Sequence, residues 1–557
     1  MHSLVHTRVA ASIAALSILF GLGSCGGGSS TIPKPPPAAA AHRELPLLLP
    51  GEFAPFARLE LDQSAPGESL RLRIVSTIDE PACFAFELEV AIDGASTTNA
   101  TSVDHLAARG VLDVGSIWNG AGDLDAARLT LVHVDASHRC IEGMLDPSFS
   151  GDGVATHGGA GIAPNEHQQG YVIQTDAQDR VYVAGITSGT SPGGHLVVWR
   201  FRADGSLDLS FAGTGYVHRP LLAQFEGPLS LSVDEQGFYL LSAILTSTQP
   251  TARPYLELRR YTLAGFPDVS FGNFGSLVIQ PPPGGSYGSA QLARDRLGRL
   301  ILAATRLVEV GQVFLVDVHR YLPGGQRDFA FRSGQPIAIG NPMGGSALAT
   351  SIALDSQDRI VIGGMVPDTS GDPLSTPVLW RLDAQGLLDP SFDGDGFRIE
   401  VGLRDTVLGL PSIARVAIDS QDRIVVASSL LLTRLLASGS TDFTFGLNGY
   451  SRPETGPFGG GFALDASGRP LIVNSFPVSL PPRPEFQSSL ALQRLDANGR
   501  TDPFFGQDGV FRHDGAAGGI GLDLGTAVCV DHAGRIVIAG ASRNASGDLD
   551  LAVWRVR

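Results

Sequence analysis

The side chains best suited to chemistry in this 557-residue sequence recur at one place in a repeating unit. His157, Arg219, Glu400 and His513 each stand four residues beyond the last glycine of a repeated motif. Two imidazoles, a carboxylate and a guanidinium brought together would suit proton transfer and the stabilisation of developing charge. The competing reading is four solvated side chains at loop ends. Other catalytic signals are weaker. Gly189-Thr-Ser-Pro-Gly193 and Gly284-Gly-Ser-Tyr-Gly288 fit the nucleophile-elbow pattern, but 69 glycines make chance matches expected, and neither lies between a strand and a helix. The 13 histidines include no HExxH. A single lysine, Lys34, stands among 40 lysines and arginines, in a Pro-rich stretch. No folded position therefore offers a Schiff-base, phosphate-loop or kinase-type lysine. The formal charge of −16 argues against nucleic acid as a partner and against an anionic membrane surface.

The elements that must position these residues repeat seven times. A D-x-x-F motif begins at Asp146, Asp208, Asp268, Asp328, Asp389, Asp442 and Asp502, at intervals of 62, 60, 60, 61, 53 and 60 residues. A mid-unit D-x-x-[DG]-R turn follows, as in Asp355-Ser-Gln-Asp-Arg359, and then an apolar run ending in arginine, as in Pro377-Val-Leu-Trp-Arg381. Each unit reads as four short strands, the first being the one after the motif glycines. Units this thin must stack to bury both faces. Seven of them, with no stretch of helical period, predict an all-β fold: a seven-bladed β-propeller of four-stranded blades. The four polar residues would then lie on the innermost strands and face a central channel.

An arginine stands eight residues before six of the aspartates: Arg200/Asp208, Arg260/Asp268, Arg320/Asp328, Arg381/Asp389, Arg434/Asp442 and Arg494/Asp502. A glycine stands three before each of those, and the segment between reads as one shaped connection. The arginine and aspartate are expected to meet, or the aspartate to cap loop amides, with the phenylalanine filling the gap between blades. Arg555 has no aspartate after it and Asp146 has His138 where its arginine should stand, so a closed ring would bring Arg555 and Asp146 together. Calcium is the alternative use of the aspartates, through Ser391-Phe-Asp-Gly-Asp-Gly396. Most copies lack the second acid, so no cofactor is expected.

The D-x-S-F-G-x-x-G signature with an internal D-x-x-G-R-I-x-x-A-G resembles the delta-60 repeat family. That resemblance covers residues 144–557 and implies a propeller in a secreted or surface bacterial protein, without naming an activity. The N-terminus carries a second resemblance. Residues 1–24 have one arginine and an apolar run too short to span a bilayer, ending in Leu22-Gly23-Ser24-Cys25, which is similar to a bacterial lipobox. This implies lipid attachment at Cys25 and, with Gly26 following it, the outer membrane. Residues 25–42 read as a Gly/Ser/Pro/Ala tether. Alternating stretches within residues 43–143 read as a small β-sandwich, bracketed by Cys83 and Cys140, which an oxidising compartment would let pair. Cys529 sits in an apolar run and is expected to pack as a small hydrophobe.

Two functions follow. The first is a monomeric, lipid-anchored envelope protein whose propeller binds a protein, peptide or glycan. The second is a propeller hydrolase or lyase working at the channel mouth.

Overall fold

The computed structural model describes residues 41–47, 57–63, 70–76, 82–92, 95–106, 111–118 and 128–135. It also describes 143–557 apart from 160–166, 189–193, 222–224, 246–252, 368–375, 401–414, 429–430, 455–459, 478–487 and 508. Cys25 and Cys140 lie outside the described residues, as do residues 25–40 of the tether and the first of the two elbow-like serines. The chain divides into two compact units, Met1–Ile141 and Glu142–Arg557.

The described strands of the first unit form two antiparallel sheets. One holds Ala41–Leu47, Ala57–Gln63, Leu70–Ser76 and Val111–Trp118 in that order, and the other Ala95–Leu106, Ala82–Ile92 and Arg128–Asp135. Alternation sets the register. Leu59 pairs with Ile74 and Leu61 with Leu72, and all four side chains are buried on one face. The first strand begins at Ala41, inside the stretch read as tether.

The second unit is a ring of seven four-stranded antiparallel blades. Blade 1 runs His167–Thr175, Val181–Ser188, His195–Phe201 and Tyr216–Pro220, each strand bonded to the next. Blades 2 to 6 begin at Phe225–Asp234, Gly285–Arg294, Leu348–Leu354, Arg415–Ile418 and Phe462–Leu464, with the same order. Blade 7 takes Gly518–Val530, Ile536–Asn544 and Leu549–Val556, and borrows Val154–His157 from the start of the unit as its fourth strand. First strands of successive blades touch around the ring, and that of blade 7 touches that of blade 1. Across this closure Thr526 Oγ1 donates to the Gly170 carbonyl at 2.6 Å. The ring is a closed propeller.

Second and third strands are apolar on both faces because they lie between neighbouring blades. Ile360–Val366 and Thr376–Leu382 are buried throughout. One core joins Ile301, Val316, Val318 and Phe331 of blade 3 to Ile360, Ile362, Val378 and Trp380 of blade 4. Another joins Val181, Val197 and Trp199 of blade 1 to Val537, Leu551 and Val553 of blade 7. Each such large side chain contributes roughly 1.5–3 kcal/mol by leaving water, so stability lies in the seams.

One sequence expectation is corrected. The strand after the motif glycines is the outermost strand of the preceding blade, not the innermost strand of its own. Tyr216–Pro220 pairs with His195–Phe201 before it and not with Phe225–Asp234 after it. A periodic sequence can be cut at any strand, and only the hydrogen bonds show where a blade ends.

Candidate functional site

Strands alternate in direction, so first-to-second and third-to-fourth connections share one face of the ring. The third-to-fourth connection carries the repeated motif. Its arginine and aspartate form an ion pair in every blade: Arg200–Asp208 at 2.7 Å, Arg260–Asp268 at 3.0 Å, Arg320–Asp328 at 2.7 Å, and Arg381–Asp389, Arg434–Asp442 and Arg494–Asp502 at 2.8 Å. Arg555 meets Asp146 at 2.8 Å across the closure. The other aspartate oxygen takes the amide two residues on, as from Ser210 at 3.1 Å and Ser391 at 2.9 Å. The aspartate thus both pairs and caps, since a carboxylate accepts at both oxygens.

The same arginine reaches the next blade. Arg200 donates to the Leu263 carbonyl, Arg381 to Ala437, Arg434 to Ala497 and Arg555 to Ala203, each carbonyl five residues before the next motif aspartate. In six connections its guanidinium lies over the motif phenylalanine, as with Arg320 over Phe331 at 4.5 Å and Arg381 over Phe392 at 4.8 Å, and in blade 2 Arg260 lies over Tyr239. That ring is buried, and the next blade's motif glycine packs on it. A Cβ at Gly386, where φ is +87°, would fall 2.7 Å from the Phe331 ring. Sequence reasoning missed the seventh such glycine. Gly143, three residues before Asp146, has φ +88° and sits against Phe505; the spacing was the available signal. These residues fasten blades.

Burial alone would raise the Asp146 carboxyl, but hydrogen bonds from Ser148 and the Arg555 guanidinium outweigh it and hold the group below the usual carboxylate range. Asp208, Asp389 and Asp442 are lowered against burial in the same way.

One position of this connection points outward. The residue after the motif aspartate is apolar and exposed in all seven copies: Pro147, Leu209, Val269, Phe329, Pro390, Phe443 and Pro503. Leu209 is 60 % exposed, Val269 70 %, Phe329 75 % and Phe443 74 %. Because Asp and Phe at the flanking positions are tied inward, the residue between is held out, giving an apolar crown on one face. This crown was not read from the sequence, although its seven apolar residues stood beside the motif.

The four polar residues expected at the channel lie on or just after fourth strands, at the outer edge of blades 7, 1, 4 and 6. Each reaches across a seam. His157 packs edge-on to Tyr216 of blade 1 at 5.6 Å. Arg219 approaches Glu257 of blade 2 at 3.7 Å. Glu400 pairs with Arg398 and accepts from the Tyr450 hydroxyl of blade 5 at 3.5 Å. His513 Nδ1 lies 2.8 Å from Asp523 Oδ2 of blade 7. Burial pushes the Glu400 carboxyl up, against the Arg398 charge, and the His157 imidazole down. The structure places them in four separate seams rather than one pocket.

A family profile described as "Domain of unknown function (DUF5122) beta-propeller" matches residues 179–211. The likeness is to a propeller family. The matched stretch holds two strands of blade 1 together with Arg200, Gly205, Asp208 and Phe211 of its fastening connection. No curated protein matches the chain. Among solved structures, one protein of unknown function from Dyadobacter fermentans is 11 % identical, covers 73 % of this chain and 99 % of its own, and superposes with a TM-score of 0.36. A gluconolactonase from Xanthomonas campestris is 12 % identical over 71 % of this chain and 100 % of its own, with a TM-score of 0.29. A GH93 α-L-arabinofuranosidase of Fusarium graminearum in complex with arabinobiose is 9 % identical over 74 % and 97 %, with a TM-score of 0.32.

Elsewhere in the propeller a buried ionisable cluster lies inside blade 3. The Tyr287 hydroxyl lies 3.0 Å from Asp317 Oδ2 and 3.1 Å from His319 Nε2, and Arg306 Nε donates to Asp317 at 2.7 Å. Tyr287 has one proton to give. Donating it to the charged Asp317 leaves its oxygen to accept from His319 Nε2–H. Burial takes His319 down to about 4, despite the Asp317 charge, and raises Tyr287. All three side chains are buried, so the network holds strands rather than substrate. Among the described residues no group of three or more His, Cys, Asp or Glu is placed to hold a metal. Ser286 lies in a strand, and burial raises the Cys529 thiol, which packs against the core between blades 1 and 7.

Proposed function

We propose that the chain is a lipid-anchored envelope protein whose propeller, built from delta-60-type repeats, is a binding module for an apolar protein surface. The observation that carries this is the crown of exposed apolar side chains at one position of all seven third-to-fourth connections. A water-facing apolar group repeated around a rigid ring offers several points of burial at little ordering cost. The repeated ionisable residues do not compete for this role, since they fasten blades. The lipobox-like Leu22–Cys25 and the tether after it would hold the module at the outer membrane as a monomer.

Capture from envelope extracts tests the reading. The triple variant Leu209→Ser, Phe329→Ser, Phe443→Ser should keep the thermal midpoint of the parent chain and lose the protein partner that the parent retains. A variant that folds and keeps the same partner would refute it.

A further inference from the structure

Histidines gather at one end of the strands where blade 1 meets blade 7. Residues 143–557 contain seven, and His157, His167, His195 and His218 stand at this end. The ring of His157 lies 5.6 Å from that of Tyr216, Tyr216 lies 5.8 Å from His218, and His218 lies 5.3 Å from His195. Strand register sets the last two side by side. His195 pairs with Pro220 and Val197 with His218 across the third and fourth strands of blade 1, so both imidazoles stand on one face of the sheet.

Neither histidine belongs to the repeat. Five residues before the motif arginine the other blades carry Tyr, Leu, Thr, Ser, Ser and Asp. Ten residues after the motif aspartate they carry Val, Ala, Ile, Arg, Arg and Thr. The fold therefore asks for an imidazole at neither place, and blade 1 has one at both. His195 is 6 % exposed, and its Nδ1 is shut from solvent with no hydrogen-bond partner. A buried polar atom left bare costs about 1–3 kcal/mol, and nothing in the packing of this blade offsets it. His218 is exposed and touches only rings among the described residues.

We propose that His195 and His218 together chelate one divalent transition-metal ion of the class that favours imidazole, such as Zn²⁺, Ni²⁺ or Cu²⁺. Two imidazoles bonded to one ion at about 2.0–2.1 Å and near the tetrahedral angle have ring centres about 5 Å apart, close to the 5.3 Å found here. The remaining coordination positions fall to water, and a formal charge of −16 favours the approach of a cation. The pair stands at the opposite end of the strands from the crown and does not depend on it.

Calorimetry of the full chain with NiCl₂ at pH 7.5 tests the proposal, with MgCl₂ as the control because Mg²⁺ takes oxygen ligands. Ni²⁺ should bind saturably, and His218→Ala should weaken that site at least roughly tenfold, about 1.4 kcal/mol, for the loss of one of two ligands. Because His218 is exposed, the metal-free variant should keep the thermal midpoint of the parent, and Ni²⁺ should raise the midpoint of the parent alone. His195→Gln should lose the same site from the other side of the pair. His532→Ala removes an exposed histidine at the far end of the strands and should leave the affinity as it was. Equal Ni²⁺ affinity in the parent and His218→Ala, an equal loss in His532→Ala, or Mg²⁺ bound as tightly as Ni²⁺ would each overturn the proposal.

Discussion

At His319 the fold commits an imidazole to its neutral form, and acid should reveal the cost. Its native pKa of about 4 lies below the ordinary value of 6.5 because the ring is buried. The unfolded chain therefore binds a proton over this window that the native chain does not. Stability is intact above pH 6.5 and falls progressively as the pH drops toward 4, by on the order of 3 kcal/mol for this group. Below that window the motif aspartates, whose carboxyls are depressed, begin to lose their own contribution. His319→Gln removes the titrating group while keeping a donor for Tyr287. Urea unfolding from pH 7 to pH 4.5 should show a shallower loss in the variant than in the parent. Parallel curves would mean that His319 is not held neutral.

Among the elements, the third-to-fourth connection was the most legible. An arginine, a glycine, an aspartate and a phenylalanine at fixed spacing foretold one shaped loop, because a loop of constant length places its side chains at constant separation. The blade boundary was not legible, since it depends on which strand accepts which hydrogen bonds. That single ambiguity moved His157, Arg219, Glu400 and His513 from the axis to the rim. The blade 3 network was equally hidden: Tyr287, Arg306 and Asp317 come from three strands and meet only through register. The crown could be read only once the neighbours on each side were known to point inward. The connection makes its own prediction. Arg381 is 1 % exposed and holds Asp389, the Ser391 hydroxyl and the Ala437 carbonyl. Asp389→Asn leaves that charge without its counter-ion, a change that costs about 3–5 kcal/mol when a pair is well buried. Asp395→Asn, four residues before Ile399 on an exposed turn, should cost under about 0.5 kcal/mol. Denaturant midpoints of the two variants compare them directly. A loss below about 1 kcal/mol for Asp389→Asn would show that the pair is not a fastening.

At the scale of the whole molecule, the ring is sealed by residues far apart in sequence. Val154–His157 completes blade 7, the Gly143 amide bonds the Arg557 carbonyl, and Arg557 returns a bond to Met144 at 3.0 Å. The end of the propeller therefore already runs beside its beginning, as two arms of a connection that lacks its tip. In the other six blades four residues separate the motif arginine from the motif glycine, as Phe201 to Asp204 do between Arg200 and Gly205. Between Arg555 and the chain end there are two, Val556 and Arg557. Joining Arg557 to Gly143 through Ala-Asp, the pair found at Ala203–Asp204, would make this connection the same length as the rest. A chain of the second unit opened between His157 and His167 and joined in this way would have all four strands of every blade consecutive. Completing blade 7 would then require only local pairing, while the seam between blades 7 and 1 still closes the ring, and loop-closure entropy depends weakly on length, so the equilibrium cost should change little. The permuted propeller should match the unpermuted second unit in thermal midpoint to within a few degrees, and refold somewhat faster because the pairing of Val154–His157 with Leu549–Val556 becomes local, although the seam of blade 7 on blade 1 does not. Deleting residues 143–157 instead should expose the edge of Leu549–Val556 and favour association. A permutant that folds only as an oligomer, or not at all, would show that the N-terminal strand does more than complete the seventh blade.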